Sequence, residues 1–203
     1  WRRHGSSGRF GFGIAVCRLS AAFRFEKLPA CACTNDAMKL ALLKKYALNC
    51  FLLTIPILVW NILLADQLPE AYQEAVFWKD IPQFLAYGEN MARIVLFLLM
   101  ALMPLTLKTR LQKTGLALYG FGTLVYFGSW LTLMYPISSE WPASAIGFLA
   151  PAYMPLLWLA GIGLIGDSFA FNMRYRRVYF FGVALVFLGF HVAHAWLVFG
   201  RMH

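Results

Sequence analysis

Charged residues are scarce in this sequence, and acidic residues are the scarcer kind. Only 13% of the 203 residues are charged, with nine Asp or Glu against eighteen Lys or Arg. A soluble domain of ordinary composition has about 25% charged residues. The shortage falls in long apolar runs that a soluble core does not need. The composition therefore excludes an ordinary soluble domain and indicates an integral membrane protein.

Catalytic signatures are also missing from the sequence. It has no nucleophile constellation, no phosphate-binding loop and no paired carboxylates inside an apolar run. The glycines of residues 161–166 match the dinucleotide-binding pattern as a string, but that pattern follows a strand and opens a helix at an aqueous turn. Here the string closes an apolar run, so we interpret it as close helix packing. The sequence gives little reason to expect an enzyme, and it predicts no cofactor.

Residues 1–37 differ from the rest of the chain. They begin with Trp1, show no sustained apolar period and contain three of the four cysteines, so cysteine usage predicts no disulfide framework. Met38 then opens a short basic segment that is typical of a bacterial membrane-protein start. We expect residues 1–37 to be upstream sequence from a mis-assigned start. The alternative is an organellar targeting peptide, because the segment is rich in Arg and Ser and poor in acids. In either case the membrane domain is 38–203.

Five apolar runs are long enough to cross a bilayer, which takes about 20 residues. They cover residues 47–65, 91–107, 115–137, 144–166 and 178–200, and the second is the shortest. We therefore predict an all-α integral membrane protein, a five-transmembrane-helix bundle. Pro69, followed by Glu70 and Glu74, suits the first turn of a helix. A short interfacial helix in the first outer loop, broken before Pro82, is expected; a solvated loop with an incidental helix is the alternative.

The basic residues fall on alternate sides of these runs. Fifteen of the eighteen lie before the first run, between the second and third, or between the fourth and fifth. The positive-inside rule then places the N-terminus in the cytoplasm and the C-terminus outside. We predict the bacterial cytoplasmic membrane, or an organellar membrane if residues 1–37 are a targeting peptide. Arg174, Arg176 and Arg177 are expected at anionic lipid headgroups, and the net charge is not taken as a sign of nucleic-acid binding.

Polar residues that are costly in a membrane gather toward the outer side of the predicted bundle. They are Asn61 in the first run, Glu89 and Arg93 at the second, and His191 and His194 in the fifth. Glu89 precedes Arg93 by four residues, the spacing of a helical ion pair. Ionisable groups inside a membrane are a functional-site hypothesis by default.

The two histidines lie three residues apart and therefore share a helix face. They could relay a proton or bind a metal. Two histidines do not complete a metal shell, however, so His191 and His194 are weak candidates for a metal site. Histidines that are hydrogen-bonded across the bundle or simply interfacial are the alternative, just as Glu89 and Arg93 could form a structural pair at the membrane edge.

Three functional classes follow from this sequence. The favoured one is a small structural or accessory membrane protein that acts through helix contacts, with itself as a homo-oligomer or with a membrane-protein partner. The second is a carrier or channel for a small solute or proton, working as an oligomer because no inverted repeat is evident. The third is a membrane-embedded enzyme or metal-binding protein whose His, Glu and Arg residues form a pocket open to the outside.

Overall fold

The computed structural model describes residues 47–136, 138, 140–171 and 174–202. The regular structure of these residues is helical, apart from one isolated antiparallel bridge between Asn49 and Pro104. Five helices are long and apolar enough to cross a membrane, and we number them α1 (Cys50–Gln67), α2 (Gln83–Leu102), α3 (Arg110–Met134), α4 (Ala145–Ile165) and α5 (Arg177–Met202). Both interpretations of residues 1–37 fall outside the described residues.

The bundle has two ends. At the loop end, residues 68–82 join α1 to α2, and residues 135–144 join α3 to α4. At the opposite end, residues 103–109 join α2 to α3, and the chain passes from α4 to α5. Backbone hydrogen bonds tie this opposite end together, since Cys50 N donates to Met103 O at 2.8 Å and Ala170 N donates to Leu102 O at 2.8 Å.

Helix α2 departs furthest from the sequence prediction. The predicted run is 91–107, whereas the helix spans Gln83–Leu102 and follows Pro82 as its N-cap. It ends at Met103, whose backbone is extended, because the residue before a proline is disfavoured in the helical region. A hydropathy scan leaves out the first turns of α2, because it scores a polar residue as unfavourable in a membrane even where other helices bury it. In the structure the helix starts earlier, so Arg93 lies near its middle, and Glu89 lies inside the helix rather than in an outer loop.

Helix α4 consists of two pieces, Ala145–Tyr153 and Pro155–Ile165, which meet at Met154. Pro151 and Pro155 cause this break, because proline lacks the N–H that an interior helical turn requires. Pro155 then starts the second piece, where a missing N–H has no cost.

The first loop contains two short helical turns in place of the single interfacial helix predicted from Pro69. They are a 3₁₀ turn at Glu70–Tyr72 and a four-residue α-helical turn at Glu74–Phe77. The loop packs against the bundle: Ala71 is buried, and the Tyr72 hydroxyl donates to the backbone oxygen of Phe148 in α4. The helical segment does end before Pro82, as expected.

Glycines bring α3 and α4 into close contact. A Cβ atom at Gly122 would lie 2.5 Å from the backbone nitrogen of Trp158, and one at Gly161 would collide with the backbone of Tyr119. Only glycine allows the two backbones to approach this closely. The contact positions the start of the second piece of α4 against α3 and so fixes where Trp158 stands in the bundle.

A glycine also determines how α2 meets α5. A Cβ atom at Gly88 would lie 2.6 Å from the ring of Phe190 in α5. The ring therefore packs directly over the α2 backbone, and the next residue, Glu89, reaches α5 with its side chain.

Candidate functional site

Glu89 is the centre of a polar cluster inside the bundle, and its side chain has no solvent exposure. Its Oε1 atom lies 3.0 Å from His191 Nδ1, and its Oε2 atom lies 2.7 Å from His194 Nδ1. Arg93, one turn further along α2, donates from its guanidinium to the same Oε1 atom. We call these four residues the Glu89 cluster. The structure thus joins four of the five polar residues that the sequence singles out.

His194 links the cluster to the first loop. It is fully buried, and its second ring nitrogen, Nε2, lies 3.0 Å from the backbone oxygen of Phe77. The rings of Phe77 and Trp78 pack on the imidazole, with centroids 4.3 and 4.5 Å away. Since a carbonyl oxygen only accepts, Nε2 must carry a proton and donate it. Both ring nitrogens of His194 are therefore used within the protein.

His191 makes fewer hydrogen bonds than His194. Its ring stacks on Phe187 at 5.4 Å, and Phe187 also lies under the Arg93 guanidinium at 5.6 Å from the ring centroid. The imidazole is 22% exposed. Its Nδ1 atom faces Glu89, while Nε2 has no hydrogen-bond partner among the residues that the structure describes. His191 can therefore still offer a ring nitrogen to a ligand.

A cavity of about 430 Å³ adjoins the cluster. Its volume falls within the range of about 300–1,000 Å³ that is usual for small-molecule sites. All five long helices contribute to its wall. The lining residues are Thr54, Ile57, Leu58, Asn61, Arg93, Leu96, Phe97, Tyr126, Pro155, Trp158, Phe187 and His191. The wall is therefore mainly apolar, with a few polar side chains among aromatic and aliphatic ones.

Asn61 belongs to the wall of the cavity and not to the Glu89 cluster. Its Oδ1 atom accepts a hydrogen bond of 2.9 Å from the Tyr126 hydroxyl of α3. It lines the same space as Arg93 and His191. The sequence singles out Asn61 together with the cluster, and in the structure Asn61, Arg93 and His191 line one cavity.

Two side chains of the cavity wall, Tyr126 and Trp158, were not singled out by the sequence prediction. Tyr126 donates a hydrogen bond to the Asn61 amide, and the indole Nε1 of Trp158 is buried with no hydrogen-bond partner among the residues that the structure describes. The sequence does not distinguish either residue from its neighbours, because aromatic residues are common inside the apolar run of a buried helix. Only the tertiary packing shows that the indole N–H is unused.

The sequence makes His191 and His194 only weak candidates for a metal site, and that interpretation stays a prediction. Within the described ranges, no group of three or more His, Cys, Asp or Glu side chains is arranged to hold a metal ion. His194 would have to give up the Glu89 or the Phe77 hydrogen bond in order to ligate one. The two histidines instead share one carboxylate.

The basic residues near the start of α5 have different environments. Arg177 donates from Nε to the backbone oxygen of Gly166 at 3.1 Å, which caps the C-terminal end of α4. Arg174 and Arg176 are exposed at the opposite end of the bundle. Contact of these residues with lipid headgroups stays a prediction, and one nitrogen of Arg177 already has a structural role.

Comparison with protein-family models, with curated proteins and with solved structures finds no match for this chain. The function of the chain is therefore inferred from the geometry of the cluster and the cavity.

Proposed function

We propose that this protein is an integral membrane protein that binds a small organic solute in the cavity inside its five-helix bundle. The cavity itself carries the proposal. The space beside Arg93 and His191 has a volume of about 430 Å³, which is in the range of small-molecule sites, and all five long helices line it.

The charge distribution supports a membrane location and an orientation. At the opposite end of the bundle the exposed ionic residues are mostly basic, namely Lys108, Arg110, Lys113, Arg174 and Arg176, whereas the loop end carries Asp66, Glu70, Glu74 and Asp80. Basic segments stay on the cytoplasmic side of a membrane. We therefore favour the bacterial cytoplasmic membrane, with the loop end outside and the Glu89 cluster nearer to that side.

Binding inside a bundle is the step that a carrier and a ligand sensor share, and the cavity favours this class over a purely structural role. A mid-membrane arginine is costly in lipid and usually faces a bundle interior or a water-filled space. Arg93 is one-third exposed and lines the cavity. Glu89 and Asn90 give this charge the polar partners that lipid does not, and the remaining donors of Arg93 stay free for a ligand in the cavity.

An accessory role through helix contacts is the second candidate, and one observation favours it. Gly182 and Gly189 lie two turns apart on α5, and a Cβ atom at either position would meet nothing within 4 Å. Small residues on an open helix face let another membrane helix approach closely. Chemical cross-linking in native membranes tests this role, since Gly182→Leu should abolish a cross-linked dimer if the open face binds a second copy.

Thermal unfolding with matched small molecules tests the binding proposal. The probes are benzoate, benzamide and benzylammonium, together with hexanoate, hexanamide and hexylammonium, so that shape and charge vary independently. A ligand at 100 times its Kd stabilises a folded protein by about 2.7 kcal/mol. We expect at least one probe to raise the unfolding temperature of the purified protein in detergent, followed by circular dichroism.

A variant that fills the cavity provides the control. Leu58 lines the cavity, whereas Ile62, one turn further along α1, is 77% exposed on the outside of the bundle. Leu58→Trp should remove the stabilisation by the probes, and Ile62→Trp should keep it. If no probe stabilises the wild-type protein, or if the two variants respond equally, the protein does not bind solutes in this cavity.

A further inference from the structure

The hydrogen bonds of the Glu89 cluster fix its net charge. Because His194 Nε2 donates to the Phe77 carbonyl, only one further proton lies between His194 Nδ1 and Glu89 Oε2. Glu89 and His194 are then neutral as a pair, whichever of the two atoms holds that proton. Arg93 stays charged under all conditions in which proteins fold. The cluster therefore has a net charge of at least one positive unit.

Nothing else at the cavity balances this charge. None of the twelve lining residues is acidic, and the other described acids lie toward the two ends of the bundle. His191 donates to Glu89 from Nδ1, and a second proton on its ring would only add positive charge. A net charge inside a membrane protein is unfavourable unless a counter-charge or solvent balances it. The cavity is thus electrostatically suited to an anion.

The cavity also has unused hydrogen-bond donors. The Asn61 carbonyl oxygen is taken by Tyr126, while its amide nitrogen has no partner among the residues described. Arg93 has five N–H donors, and the structure shows it bonded to Glu89 and Asn90 only. The hydroxyls of Thr54 and Tyr126, by contrast, already donate to acceptors within the protein.

We propose that the ligand of this cavity is a small organic monoanion with a carboxylate-type head, bound through its oxygens by Arg93 and the amide N–H of Asn61. This inference rests on the proposed binding function and adds the chemical class of the ligand. The apolar part of the wall, with Phe97 and Phe187 among its rings, holds the body of the molecule. A cation is repelled by Arg93, and a neutral amide gains no charge–charge attraction there.

The six probes separate this inference from the binding function itself. Benzoate and hexanoate should bind at least tenfold more tightly than the matching amides, because a hydrogen bond to a charged group is worth about tenfold or more in affinity. The two ammonium probes should show no measurable binding. If an amide or an ammonium probe binds as tightly as its carboxylate counterpart, the binding function stands and the anion inference is wrong. If no probe binds, both are wrong.

A pair of amide variants on α1 tests the proposed contact. Asn61 lines the cavity, whereas Gln67 is exposed at the end of the same helix and is not part of the wall. Asn61→Leu should weaken benzoate binding about tenfold and change the weaker benzamide binding less than twofold. Gln67→Leu should change neither affinity. Equal effects of the two variants on benzoate, or an equal loss of both probes in Asn61→Leu, would overturn the assignment of the Asn61 amide.

Discussion

Glu89 and Gln112 are both polar side chains buried inside the bundle, and they lie at opposite ends of it. Gln112 Nε2 donates to Thr106 Oγ1 at 2.8 Å and to Asp167 Oδ2 at 2.7 Å, and its Oε1 accepts from two backbone nitrogens at the start of α3. Its bonding capacity is filled by loop and helix-end groups. The side chain is neutral, and it does not line the cavity beside the Glu89 cluster.

The Glu89 cluster differs from Gln112 in two respects. It holds a charge that its own members do not cancel, and it adjoins a cavity in which Arg93, His191 and Asn61 keep hydrogen-bonding groups that no described residue uses. Burial of a polar group is therefore not enough to indicate a binding site. A buried group that is fully bonded fixes the fold, whereas leftover charge and leftover donors beside an empty space indicate a ligand.

Removal of Glu89 should have the largest effect on the protein. In Glu89→Ala, Arg93 and both histidines lose their shared acceptor inside the bundle, and breaking a buried ion pair in this way costs about 3–5 kcal/mol. We expect a large fall in unfolding temperature, measured by circular dichroism in detergent. Glu74→Ala, at an exposed acid in the first loop, is the control and should change it little.

Glu89→Gln sharpens the same test, because it keeps the shape of the side chain and removes the negative charge. We expect it to be less destabilising than Glu89→Ala, and to bind benzoate at least as tightly as the wild type, since the cavity becomes no less positive. A Glu89→Ala protein as stable as Glu74→Ala would show that the cluster is not a stabilising feature of the bundle.

The sequence predicts these two sites to different degrees. Five helices follow from run length and composition, and the Glu89–Arg93 and His191–His194 spacings indicate which side chains share a helix face. The position of α2 does not follow, because the partners that bury Glu89 are about 100 residues away in the chain. The cavity depends on packing among all five helices, which residue spacing does not encode.

Gln112 did have a sequence signal that the prediction left unused. Thr109 and Gln112 form a capping box, in which the N-cap hydroxyl and the side chain three residues later bond each other's backbone nitrogens. The pattern places the start of α3 at Arg110, whereas hydropathy places it at residue 115. Polar residues at helix ends are thus better predicted from capping patterns than from apolar runs.

Replacement of Gln112 should have an intermediate effect and should separate structural from binding roles. Gln112→Ala leaves the backbone nitrogens of Lys108 and Thr109 without their acceptor, which costs about 2 kcal/mol. We expect a moderate fall in unfolding temperature with unchanged benzoate affinity in the folded protein. Gln83→Ala, at an exposed position on α2, is the control. A selective loss of benzoate binding in Gln112→Ala would contradict the distinction between the two buried groups.

Replacement of Tyr72 should have the smallest effect on the stability of the protein. It tests how much a buried but uncharged polar group at the loop end contributes to that stability. Its hydroxyl donates to Phe148 O, and Tyr72→Phe removes that one neutral hydrogen bond at a cost of about 1 kcal/mol. Burial raises the pKa of Tyr72 above its ordinary value of 10.0. The unfolded chain therefore loses this proton before the folded chain does, so the stabilisation from Tyr72 is complete below pH 10 and falls as the pH rises above it.

Thermal unfolding at pH 8 and at pH 11 measures this contribution. The wild type should exceed Tyr72→Phe in stability at pH 8, and the difference should shrink at pH 11. Tyr87→Phe is the control because Tyr87 is 69% exposed, and its difference from the wild type should be near zero at pH 8. A Tyr72 difference that is the same at both pH values would mean that the hydroxyl is not buried in the folded protein. The loop would then be attached to the bundle mainly through His194 and Phe77.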